Sequence, residues 1–560
     1  MLAFTADFET TTDPDDCRVW AFACCSIDAP DFFVYGNSIE KFMQWCEETG
    51  SCKLYFHNLA FDGSFIMDWA ERHGWKWVES QDDAGCRTYE TLISDMNQVY
   101  CITLQFYPGC RVKIYDSLKI IPLSIEAMSR AFGLPMAKGS IDYSAYREPG
   151  HELTEEEVEY IKGDVQIDAL AMRVFLDQGL TKMTAGSNAL ADYKSMVGKE
   201  KGFRKVYPIL TPDQDEFIRR AYRGGYTYVS PRYQGKVIEG GIVLDVNSLY
   251  PSVMSSASGE VLPHGKPEWF DGEPSEDDRM PLWVAMVTCS FKIKDRHLPC
   301  IQLKGNFRFK QTEYLESSDG IVTFTVTNVD WSLICDQYDV VVEEWHGGFK
   351  FKCNDYMFKP YIEKWGKVKE QATIEGNKGM RFIAKRMLNS LYGKFSTRIE
   401  VRSRRPVLEN GVLRYRDLEP EVRDPVYLPV GVFITSWARN KTIRAAQANY
   451  DRFIYADTDS MHMVGTELPD NVDIDPVRLG AWDHESTFDK AKFLAQKCYV
   501  EHEVGADELT VHVAGMPSTC HSQVTVENFN FGARYSGKLY QKRVPGGIVF
   551  EEGDMEVRER

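Results

Sequence analysis

No two cysteines of this 560-residue chain have the Cys-x-x-Cys spacing, although 14 cysteines are present. Zinc ribbons and iron–sulfur sites take their ligands from such pairs, so the spacing argues against both. No apolar run approaches the ~20 residues that cross a bilayer. The N-terminal stretch "MLAFTADFET" lacks the basic and apolar segments of an export signal. We therefore expect free thiols, a reducing cytoplasm and no membrane partner.

An excess of positive charge is also absent, because 65 Lys and Arg stand against 83 Asp and Glu, for a formal net charge of −18. A protein that binds nucleic acid over much of its surface is expected to be basic instead. The charge is uneven, however, since the N-terminal third is rich in acidic side chains and residues 378–407 are strongly basic. Such a basic run is either a solvated face or a local contact to nucleic acid.

Repeats and low-complexity segments are absent too, and the chain is too long for one core, so two to four domains are expected. Strands alternate with helices over the first ~180 residues, which predicts an α/β unit. The long helix predicted over 153–179 begins with a Thr-x-x-Glu capping box. Residues 255–356 mix short strand patterns with Pro, Gly and acidic loops, and are interpreted as an inserted module. Two helices are predicted over 357–395, and an Asn-Gly hairpin over 405–417.

Carboxylates recur at three places in the N-terminal unit. Asp7 and Glu9 share one face of a predicted strand, and Asp62 follows a strand and a turn in "HNLAFDG". Tyr160 and Asp164 lie four residues apart on the predicted helix, and therefore on one face. Four acidic groups and a tyrosine suit a pair of Mg²⁺ or Mn²⁺ ions. Such a pair activates water and stabilises the leaving oxygen in phosphodiester hydrolysis.

Each of these motifs is weak by itself. An Asp-x-Glu match is expected about twice by chance in a chain of this size. Asp164 alone would be interpreted as a solvated helix residue. Asp168, one turn further along, is expected to be a surface group or a salt-bridge partner rather than a ligand.

A second set of carboxylates lies downstream. The stretch "RFIYADTDSMHMV" (452–464) places Asp457 and Asp459 two residues apart, on one face if the segment is extended. Neighbouring carboxylates repel each other unless a cation lies between them. Asp245 ends an apolar strand in "EGGIVLDVNSLYP". The three residues indicate either an Asp-rich hairpin tip in water or, if they converge, a site for hard metal ions.

A predicted helix provides cations that match this second set. Arg381, Lys385 and Asn389 recur every four residues, and Tyr392 lies three residues further on. The helix is either a basic amphipathic helix in water or a surface that binds a triphosphate and stacks on a base. Together with the three aspartates, the second interpretation predicts in-line nucleotidyl transfer by two metal ions.

Six of these motifs, in this order, resemble those of a known family. "DFE", "HNLAFDG" and "YIKGD" resemble the motifs of 3′–5′ exonucleases of the DEDD type with a tyrosine. "DVNSLYP", "KRMLNSLYG" and "YADTDS" resemble motifs A, B and C of family B DNA polymerases. "YRGG" and "KCY" resemble the elements that coordinate the two activities and hold the primer terminus. Two insertions, one between A and B and one between B and C, resemble the terminal-protein regions of protein-primed polymerases of the phi twenty-nine-like phage type.

This resemblance implies a multidomain α/β and α+β fold. An N-terminal RNase H-like DEDD exonuclease would precede a right-hand polymerase of palm, fingers and thumb with two insertions. The implied boundaries are 1–184 for the exonuclease, 185–256 and 429–513 for the palm, 257–356 and 397–428 for terminal-protein regions 1 and 2, 357–396 for the fingers and 514–560 for the thumb.

The resemblance also implies two catalytic centres, each with two Mg²⁺ or Mn²⁺ ions. In the exonuclease, the implied metal ligands are Asp7, Glu9, Asp62 and Asp164, and Tyr160 would orient the water. The residues implied to hold a frayed 3′ strand are Thr10, His57, Asn58, Phe61, Lys138 and Tyr143. In the polymerase, the implied metal site consists of Asp245, Val246, Asp457 and Asp459.

Further residues are implied to contact the substrates of the polymerase. Those implied for the incoming nucleotide are Tyr250, Lys369, Lys385, Asn389 and Tyr392. Those implied for DNA are Tyr222, Gly224, Gly225, Lys497 and Tyr499. Tyr250 would exclude a ribose 2′-hydroxyl. Two departures from the family pattern are visible: about four extra residues around "EGNKG", which weaken the match of Lys369, and a short tail after "KCY".

The resulting expectation is a template-directed DNA polymerase with 3′–5′ exonuclease activity and intrinsic strand displacement. It would replicate a linear viral or plasmid genome in the cytoplasm, that of the host if the genome is viral. The expected partners are DNA primer–template, dNTPs and a terminal protein that primes synthesis, with the chain a monomer or a heterodimer with that protein. Two alternatives are a family B polymerase that extends ordinary nucleic-acid primers and a catalytically silent replication scaffold.

Overall fold

The computed structural model describes residues 1–136, 139–143, 145–304 and 308–559. Its strands are β1 (Leu2–Thr10), β2 (Val19–Ser26), β3 (Phe33–Gly36), β4 (Cys52–Phe56), β5 (Lys76–Trp77), β6 (Thr88–Ser94), β7 (Val99–Tyr107), β8 (Cys110–Asp116), β9 (Thr227–Val229), β10 (Val237–Val246), β11 (Leu262–Phe270), β12 (Leu282–Ile293), β13 (Val322–Thr327), β14 (Tyr338–Asn354), β15 (Glu400–Val401), β16 (Ser403–Glu409), β17 (Val412–Asp417), β18 (Glu421–Val422), β19 (Phe453–Asp457), β20 (Ser460–Val464), β21 (Trp482–Ala495), β22 (Cys498–Glu503), β23 (Thr510–Val513), β24 (Arg534–Val544) and β25 (Gly547–Glu556).

Its α-helices are α1 (Ile39–Thr49), α2 (Leu59–Arg72), α3 (Ile125–Phe132), α4 (Glu155–Asp177), α5 (Ala185–Met196), α6 (Lys199–Val206), α7 (Pro212–Arg219), α8 (Leu249–Val253), α9 (Asn328–Gln337), α10 (Lys359–Ile374), α11 (Lys378–Phe395) and α12 (Leu428–Ala448). Within the described residues, no helix is both long and apolar enough to cross a membrane. All 14 cysteines are present as free thiols.

The N-terminal sheet positions the first group of carboxylates. Its strand order is β17-β16-β6-β7-β8-β4-β1-β2-β3, with β5 paired to β6. The central strands β1, β4 and β8 run parallel, so the ends of β1 and β4 meet at one edge of the sheet. Helix α2 begins just beyond that end of β4, and α4 packs against β1 and β2. The capping box predicted at the start of α4 is present, because Thr154 and Glu157 each bond the other's backbone N–H.

A seven-stranded antiparallel sheet positions the second group. Its order is β23-β22-β21-β10-β20-β19-β9. In this sheet β10 lies between β20 and β21, and Asp245 pairs in register with Ser460 on one side and Asp483 on the other. The tight β19–β20 turn therefore lies beside the end of β10, which brings together carboxylates more than 200 residues apart in the chain.

The segment interpreted as an inserted module has a sheet and a hydrophobic core of its own. Its strand order is β11-β14-β12-β13, and α9 packs on it. The strands are longer than the short patterns in the sequence predict: β12 has 12 residues and β14 has 17. Register shifts between β12 and β14 explain the difference, because the bulges interrupt the alternation of apolar residues without ending the strands.

The helical pair and the hairpin that follows it form as the sequence predicts. Helices α10 and α11 pack against each other on either side of the "EGNKG" break, and the side chain of Asn377 caps α11. Strands β16 and β17 meet at a turn in which Asn410 has φ of 52° and Gly411 has φ of 76°. Positive φ at both central residues is the geometry that Asn-Gly favours in a two-residue hairpin.

The hairpin and the C-terminal strands both reach back to the N-terminal sheet. Strand β16 pairs with β6, so the hairpin extends that sheet. The tip of the β24–β25 hairpin packs on α2, where the ring of Phe550 stacks on that of Phe61 at 5.3 Å. The guanidinium of Arg543 lies 4.2 Å from the centre of the Tyr415 ring. The N-terminal unit, the β16–β17 hairpin and the tail (β24 and β25) therefore each contact the other two, and this arrangement is called the closed circuit below.

Candidate functional site

The first group of carboxylates converges at the edge where β1 and β4 end. Glu9 is 5% exposed and Asp62, in the first turn of α2, is 3% exposed. Burial raises the pKa of Asp62 well above its usual range, and the negative charges of Asp7 and Glu9 raise it further. The structure therefore brings these three predicted residues together.

Helix α4 adds the predicted tyrosine and the fourth carboxylate. The Tyr160 hydroxyl lies 2.6 Å from that of Tyr143. Burial raises the pKa of Tyr160, and Glu9, the Tyr143 hydrogen bond and Asp164 raise it further. Tyr160 is thus a neutral hydroxyl held against the carboxylates, which suits a group that orients a water molecule.

The arrangement fits divalent cations. Asp62 Oδ1 is buried and accepts no hydrogen bond from the described residues, which leaves its lone pairs for another partner. Oxygen-rich sites of this kind are those that Mg²⁺ and Mn²⁺ prefer. Within the described part of the chain, no three acidic, imidazole or thiol groups enclose an ion by themselves. Water and substrate phosphate oxygens would have to complete the coordination.

The residues predicted to hold a 3′ strand surround this cluster, with one outside the described residues. Thr10 ends β1, and Asn58 is exposed in the turn before α2 with φ of 79°. Phe61 is stacked on Phe550, as described above. Both ring nitrogens of His57 contact protein atoms, Nδ1 at 2.9 Å from Ser117 Oγ and Nε2 at 2.6 Å from Leu123 O. Lys138 lies outside the described residues.

The second group of carboxylates meets at the end of β10. The Val246 N–H donates to the carbonyl oxygen of Asp459 at 2.8 Å, which fixes the aspartate turn against β10. The extended arrangement expected for Asp457 and Asp459 is replaced by a tight turn, with Thr458 at φ of 66° and the Asp459 N–H donating to Asp457 O at 2.8 Å. Asp457 ends strand β19, and Asp459 therefore turns toward Asp245.

The pKa shifts of these carboxylates show how close the negative charges lie. Burial raises the pKa of Asp245 to about 7, and the charge of Asp459 raises it further. Burial also raises the pKa of Asp459, with a further contribution from Asp457. Lys385 on α11 opposes both shifts, so its ammonium group faces the pair. The carboxylates therefore attract cations, and the ammonium group of Lys385 on α11 partly offsets their negative charge.

Asp457 has a different environment from the other two aspartates. Lys497 Nζ lies 2.8 Å from both of its carboxylate oxygens, and the hydroxyl of Thr227 donates to Oδ1 at 3.1 Å. The lysine of the "KCY" motif is therefore linked directly to the aspartate turn. Tyr499 of the same motif stacks on His512 at 4.4 Å.

These groups line a cavity of about 700 Å³. The lining residues are Val243, Asp245, Asp457, Thr458, Asp459, Ser460, His462, Glu485, Ser486, Lys497, Tyr499, Glu501, Glu503, Thr510 and His512. The cavity is large enough for several nucleotide-sized groups, and its walls combine carboxylates with aromatic rings.

The helical pair provides the predicted nucleotide-facing residues. Arg381, Lys385 and Asn389 are exposed along one face of α11, as the spacing predicts. Burial lowers the pKa of Lys369 on α10, and the charges of Lys385 and Arg381 lower it further. Despite the extra residues at "EGNKG", Lys369 therefore lies with the other cations. This group of like charges favours a polyanionic ligand.

Two aromatic rings from α8 and α11 pack on each other near the aspartates. Tyr250 and Tyr392 stack with their centroids 3.9 Å apart. The negative charge of Asp459 raises the pKa values of both, after larger contributions from burial, so the pair faces the aspartates. Residues of α8 and α11 therefore lie near the aspartates of the β19–β20 turn.

The "YRGG" element lies against the aspartate turn. A Cβ atom on Gly225 would stand 2.4 Å from Thr458 Oγ1, so only glycine fits there. Arg439 of α12 donates to the carbonyl oxygen of Gly224 at 2.8 Å. Tyr222 contributes to the raised pKa values of Tyr250 and Tyr392 and hence lies near that pair.

Two acidic residues in this centre are absent from the predictions made from the sequence. Glu485 raises the pKa values of both Asp245 and Asp459, and Asp483 raises that of Asp245. Both lie on β21 in "WDHE", where a bulge between Ser486 and His484 leaves Glu485 without a partner on β10. The residue types were visible in the sequence, but the pairing of β21 with β10 and its bulge were not.

The comparisons with known proteins cover the whole chain. A family model described as DNA polymerase type B, organellar and viral, matches residues 48–149 and 145–475. The DNA polymerase of Bacillus phage M2 is 44% identical and that of Bacillus phage phi29 is 43% identical, each over 99% of both chains. The DNA polymerase of Streptococcus phage Cp-1 is 33% identical over 99% of this chain and 98% of its own. A structure of phi29 DNA polymerase with primer-template DNA and incoming nucleotide substrates matches with a TM-score of 0.93 and 42% identity, covering 100% of both chains.

Proposed function

Because the chain belongs to the organellar and viral type B DNA polymerases, among their phi29-like phage members, we propose that it extends DNA by two-metal nucleotidyl transfer and proofreads it with a separate 3′–5′ exonuclease. One observation supports the proposed polymerase centre: Asp245 and Asp459 lie close together, near the ammonium group of Lys385. Primer–template DNA and dNTPs are the proposed substrates.

In the polymerase centre, Asp245 and Asp459 would hold two Mg²⁺ or Mn²⁺ ions, with Val246 and Asp457 beside them. When bound, these ions neutralise the reacting phosphates and favour the nucleophilic form of the primer 3′ hydroxyl. Lys385 and Lys369 would pair with the triphosphate, while Asn389 extends the same face of α11. These contacts hold the nucleotide in line for attack.

The aromatic pair and the "KCY" motif complete the substrate contacts in this proposal. The stack of Tyr250 on Tyr392 would form the floor under the sugar and base, and Tyr250 would leave no space for a 2′-hydroxyl. Lys497 and Tyr499 would hold the primer terminus beside Asp457. Tyr222, Gly224 and Gly225 would bind the template strand while they support the aspartate turn.

In the exonuclease centre, Asp7, Glu9, Asp62 and Asp164 would hold the second pair of ions. The neutral hydroxyl of Tyr160 would position the attacking water. The residues proposed to guide a single-stranded 3′ end into this centre are Thr10, His57, Asn58, Phe61, Lys138 and Tyr143. The two centres lie on different sheets, so a mismatched end has to leave one in order to reach the other.

The two insertions support protein-primed initiation and strand displacement, which are further parts of the proposal. The module 257–356 would contact a terminal protein whose hydroxyl side chain primes synthesis, with the chain acting alone or as a heterodimer with that protein. The hairpin segment 397–428 would close around DNA, because it bridges the proposed exonuclease (1–184) and thumb (514–560). The genome would be linear, viral or plasmid, and copied in the host cytoplasm. The palm (185–256 and 429–513) and fingers (357–396) would carry the nucleotide chemistry.

A pair of complementary variants tests the two centres. Asp459→Ala should abolish addition of a correct dNTP, because the metal pair loses a ligand, yet leave degradation of single-stranded DNA from its 3′ end. Asp7→Ala with Glu9→Ala should do the reverse. Single-turnover assays with Mg²⁺ on 3′-labelled primers measure both reactions, with Asp451→Ala, an exposed aspartate outside both centres, as control. Loss of both reactions in either folded variant would contradict separate centres.

A further inference from the structure

A buried hydrogen-bonded chain lies behind the exonuclease centre. Asp168, predicted to be a surface group or a salt-bridge partner, is instead 2% exposed. Its Oδ2 atom accepts a hydrogen bond from Ser117 Oγ at 2.9 Å. Ser117 Oγ also lies 2.9 Å from His57 Nδ1, and His57 Nε2 lies 2.6 Å from Leu123 O. The surface expectation for Asp168 was wrong, because a helix packed on a sheet buries one face whatever residue type occurs there.

The chain connects three segments of the N-terminal unit. His57 and the next five residues form the turn and first helical residues that carry Asp62. Ser117 begins a short 3-10 turn that directly follows β8. Asp168 lies one helical turn beyond Asp164 and two beyond Tyr160, on the same face of α4. The proposed ligands from α2 and α4 are therefore linked by side chains as well as by packing.

Ser117 Oγ is the centre of this chain. It lies 2.9 Å from both Asp168 Oδ2 and His57 Nδ1, and the carbonyl oxygen of Phe56 is a third partner at 3.3 Å. The carbonyl oxygen of Leu123 only accepts, so His57 Nε2 donates to it. Buried polar groups are stable when they are hydrogen-bonded, so each of these side chains depends on the others.

Additional contacts hold the same turn. Asn58 has a positive φ of 79°, in the left-handed region that asparagine adopts more readily than other non-glycine residues. Its N–H donates to Asp116 Oδ1 at 3.1 Å, and that oxygen also accepts from the N–H of Leu118 at 3.0 Å. Burial raises the pKa of Asp168 to about 6, with His57 opposing the shift. The turn before α2 is thus fixed from β8 and from α4.

We propose that the chain Asp168–Ser117–His57 is a positioning device that sets Asp62 relative to Tyr160 and Asp164 in the exonuclease centre. This inference rests on the proposed exonuclease function. It also gives His57 a role inside the protein, because both of its ring nitrogens contact protein atoms, so the proposed contact with a DNA strand would come from the surface of the ring. A displacement of about 1 Å in such a centre costs roughly 100-fold in rate.

Two substitutions at one position separate hydrogen bonding from charge and volume. Asp168→Leu fills similar space without a hydrogen bond. Asp168→Asn keeps the volume of the side chain, and its amide can donate to Ser117 Oγ while the Ser117 hydroxyl donates to His57 Nδ1, so the hydrogen-bonded chain stays complete. We expect Asp168→Leu to lower kcat for hydrolysis of a single-stranded 3′ end by roughly 100-fold, with KM changed by less than about threefold. Asp168→Asn should retain activity within about threefold, and both should add dNTPs as the unmodified chain does.

A second substitution and a measurement independent of activity complete the test. Ser117→Ala should reproduce the loss, and the double variant Ser117→Ala with Asp168→Leu should be no worse than either single one. Hydrogen exchange of the amides of residues 57–62 should accelerate by roughly tenfold in Asp168→Leu and stay unchanged in Asp168→Asn. Unchanged exchange in Asp168→Leu, or an Asp168→Asn as impaired as Asp168→Leu, would overturn the inference. If the unmodified chain degrades no DNA with Mg²⁺, the proposed exonuclease fails, and exchange alone then decides on the positioning device.

Discussion

At the scale of single residues, the carboxylates proposed for the polymerase centre lower the free energy of unfolding of the metal-free protein. Asp245 and Asp459 are held close together, and the negative charge of Glu485 lies near both of them. Bringing like charges together in a partly buried place is unfavourable until a cation binds. Positions of this kind are where substitution often stabilises a protein while it removes function.

Asp245→Asn should therefore stabilise the metal-free protein. Burial raises the pKa of Asp245 from its ordinary value of 3.8 to about 7 in the folded chain. Ionisation of this side chain therefore leaves the free energy of unfolding unchanged below about pH 4, lowers it increasingly up to about pH 7, and lowers it by a constant amount above. Each pKa unit corresponds to about 1.4 kcal/mol, and partial exposure reduces the total to about 1–2 kcal/mol at pH 8. Because the entropy of unfolding grows with chain length, thermal unfolding in EDTA should show a midpoint about 1–2 °C higher at pH 8 and no difference at pH 4.

The matched control is Asp457→Asn. That aspartate is paired with Lys497 at 2.8 Å, so its replacement removes a favourable contact and should not raise the midpoint. An Asp245→Asn variant that is no more stable than the unmodified chain at pH 8, or equally more stable at pH 4, would contradict the charge argument.

The sequence singles out residues that lie together in the structure where a motif specifies them locally, and their roles stay predictions. Asp245, Lys385 and Asp459 were singled out from their spacing, and they meet in the structure. Glu485 was not, because only the β10–β21 pairing places it beside the aspartates. The prediction that Asp168 lies at the surface was wrong for a related reason. Its burial depends on the packing of α4 against β1 and β2, whereas its residue type favours the surface.

At the scale of elements, local residue types predict the turn of the β16–β17 hairpin but not the strands and rings that it contacts. The Asn410–Gly411 turn follows from residue type alone, and the register of the two strands follows from the turn. The pairing of Arg404 with Ile93, however, joins residues about 300 positions apart, and no local pattern encodes it. The contact of Tyr415 with Arg543 of the C-terminal hairpin joins residues about 130 positions apart, and no local pattern encodes it either.

Deleting residues 403–416 should shorten the DNA made in a single binding event by roughly tenfold. The deletion removes β16 and its bridge to the tail, so the proposed enclosure of DNA would open and the effective concentration of the primer end would fall. Extension of a labelled primer in the presence of a DNA trap measures this length. Glu409→Gln, which breaks only the exposed Arg416 pair on the same hairpin, should stay within about twofold. Unchanged product length in the deletion variant would refute the enclosing role.

At the scale of the whole molecule, net charge is a poor guide to this protein. The total of −18 reflects acidic side chains over much of the surface, while the cations that matter are gathered on α10 and α11. The fold as a whole was predictable because six motifs keep their order along the chain. The closed circuit of N-terminal unit, hairpin and tail was not predicted from the sequence, since one strand pairing and a few side-chain contacts join three regions far apart in the chain.

That closed circuit leads to the prediction with the widest consequence. Given a primed single-stranded circle, Mg²⁺ and dNTPs, and neither helicase nor clamp, the chain should make products many times the length of the circle. The physical reason is that an enclosed template cannot dissociate, so each nucleotide addition advances the polymerase against the duplex ahead. Denaturing gels of the labelled product measure the length, with the 403–416 deletion as the matched variant. Products that end at one circle length would show that the chain stalls at duplex and would contradict intrinsic strand displacement. Addition of a single correct dNTP would then separate a polymerase that needs accessory factors from a silent scaffold.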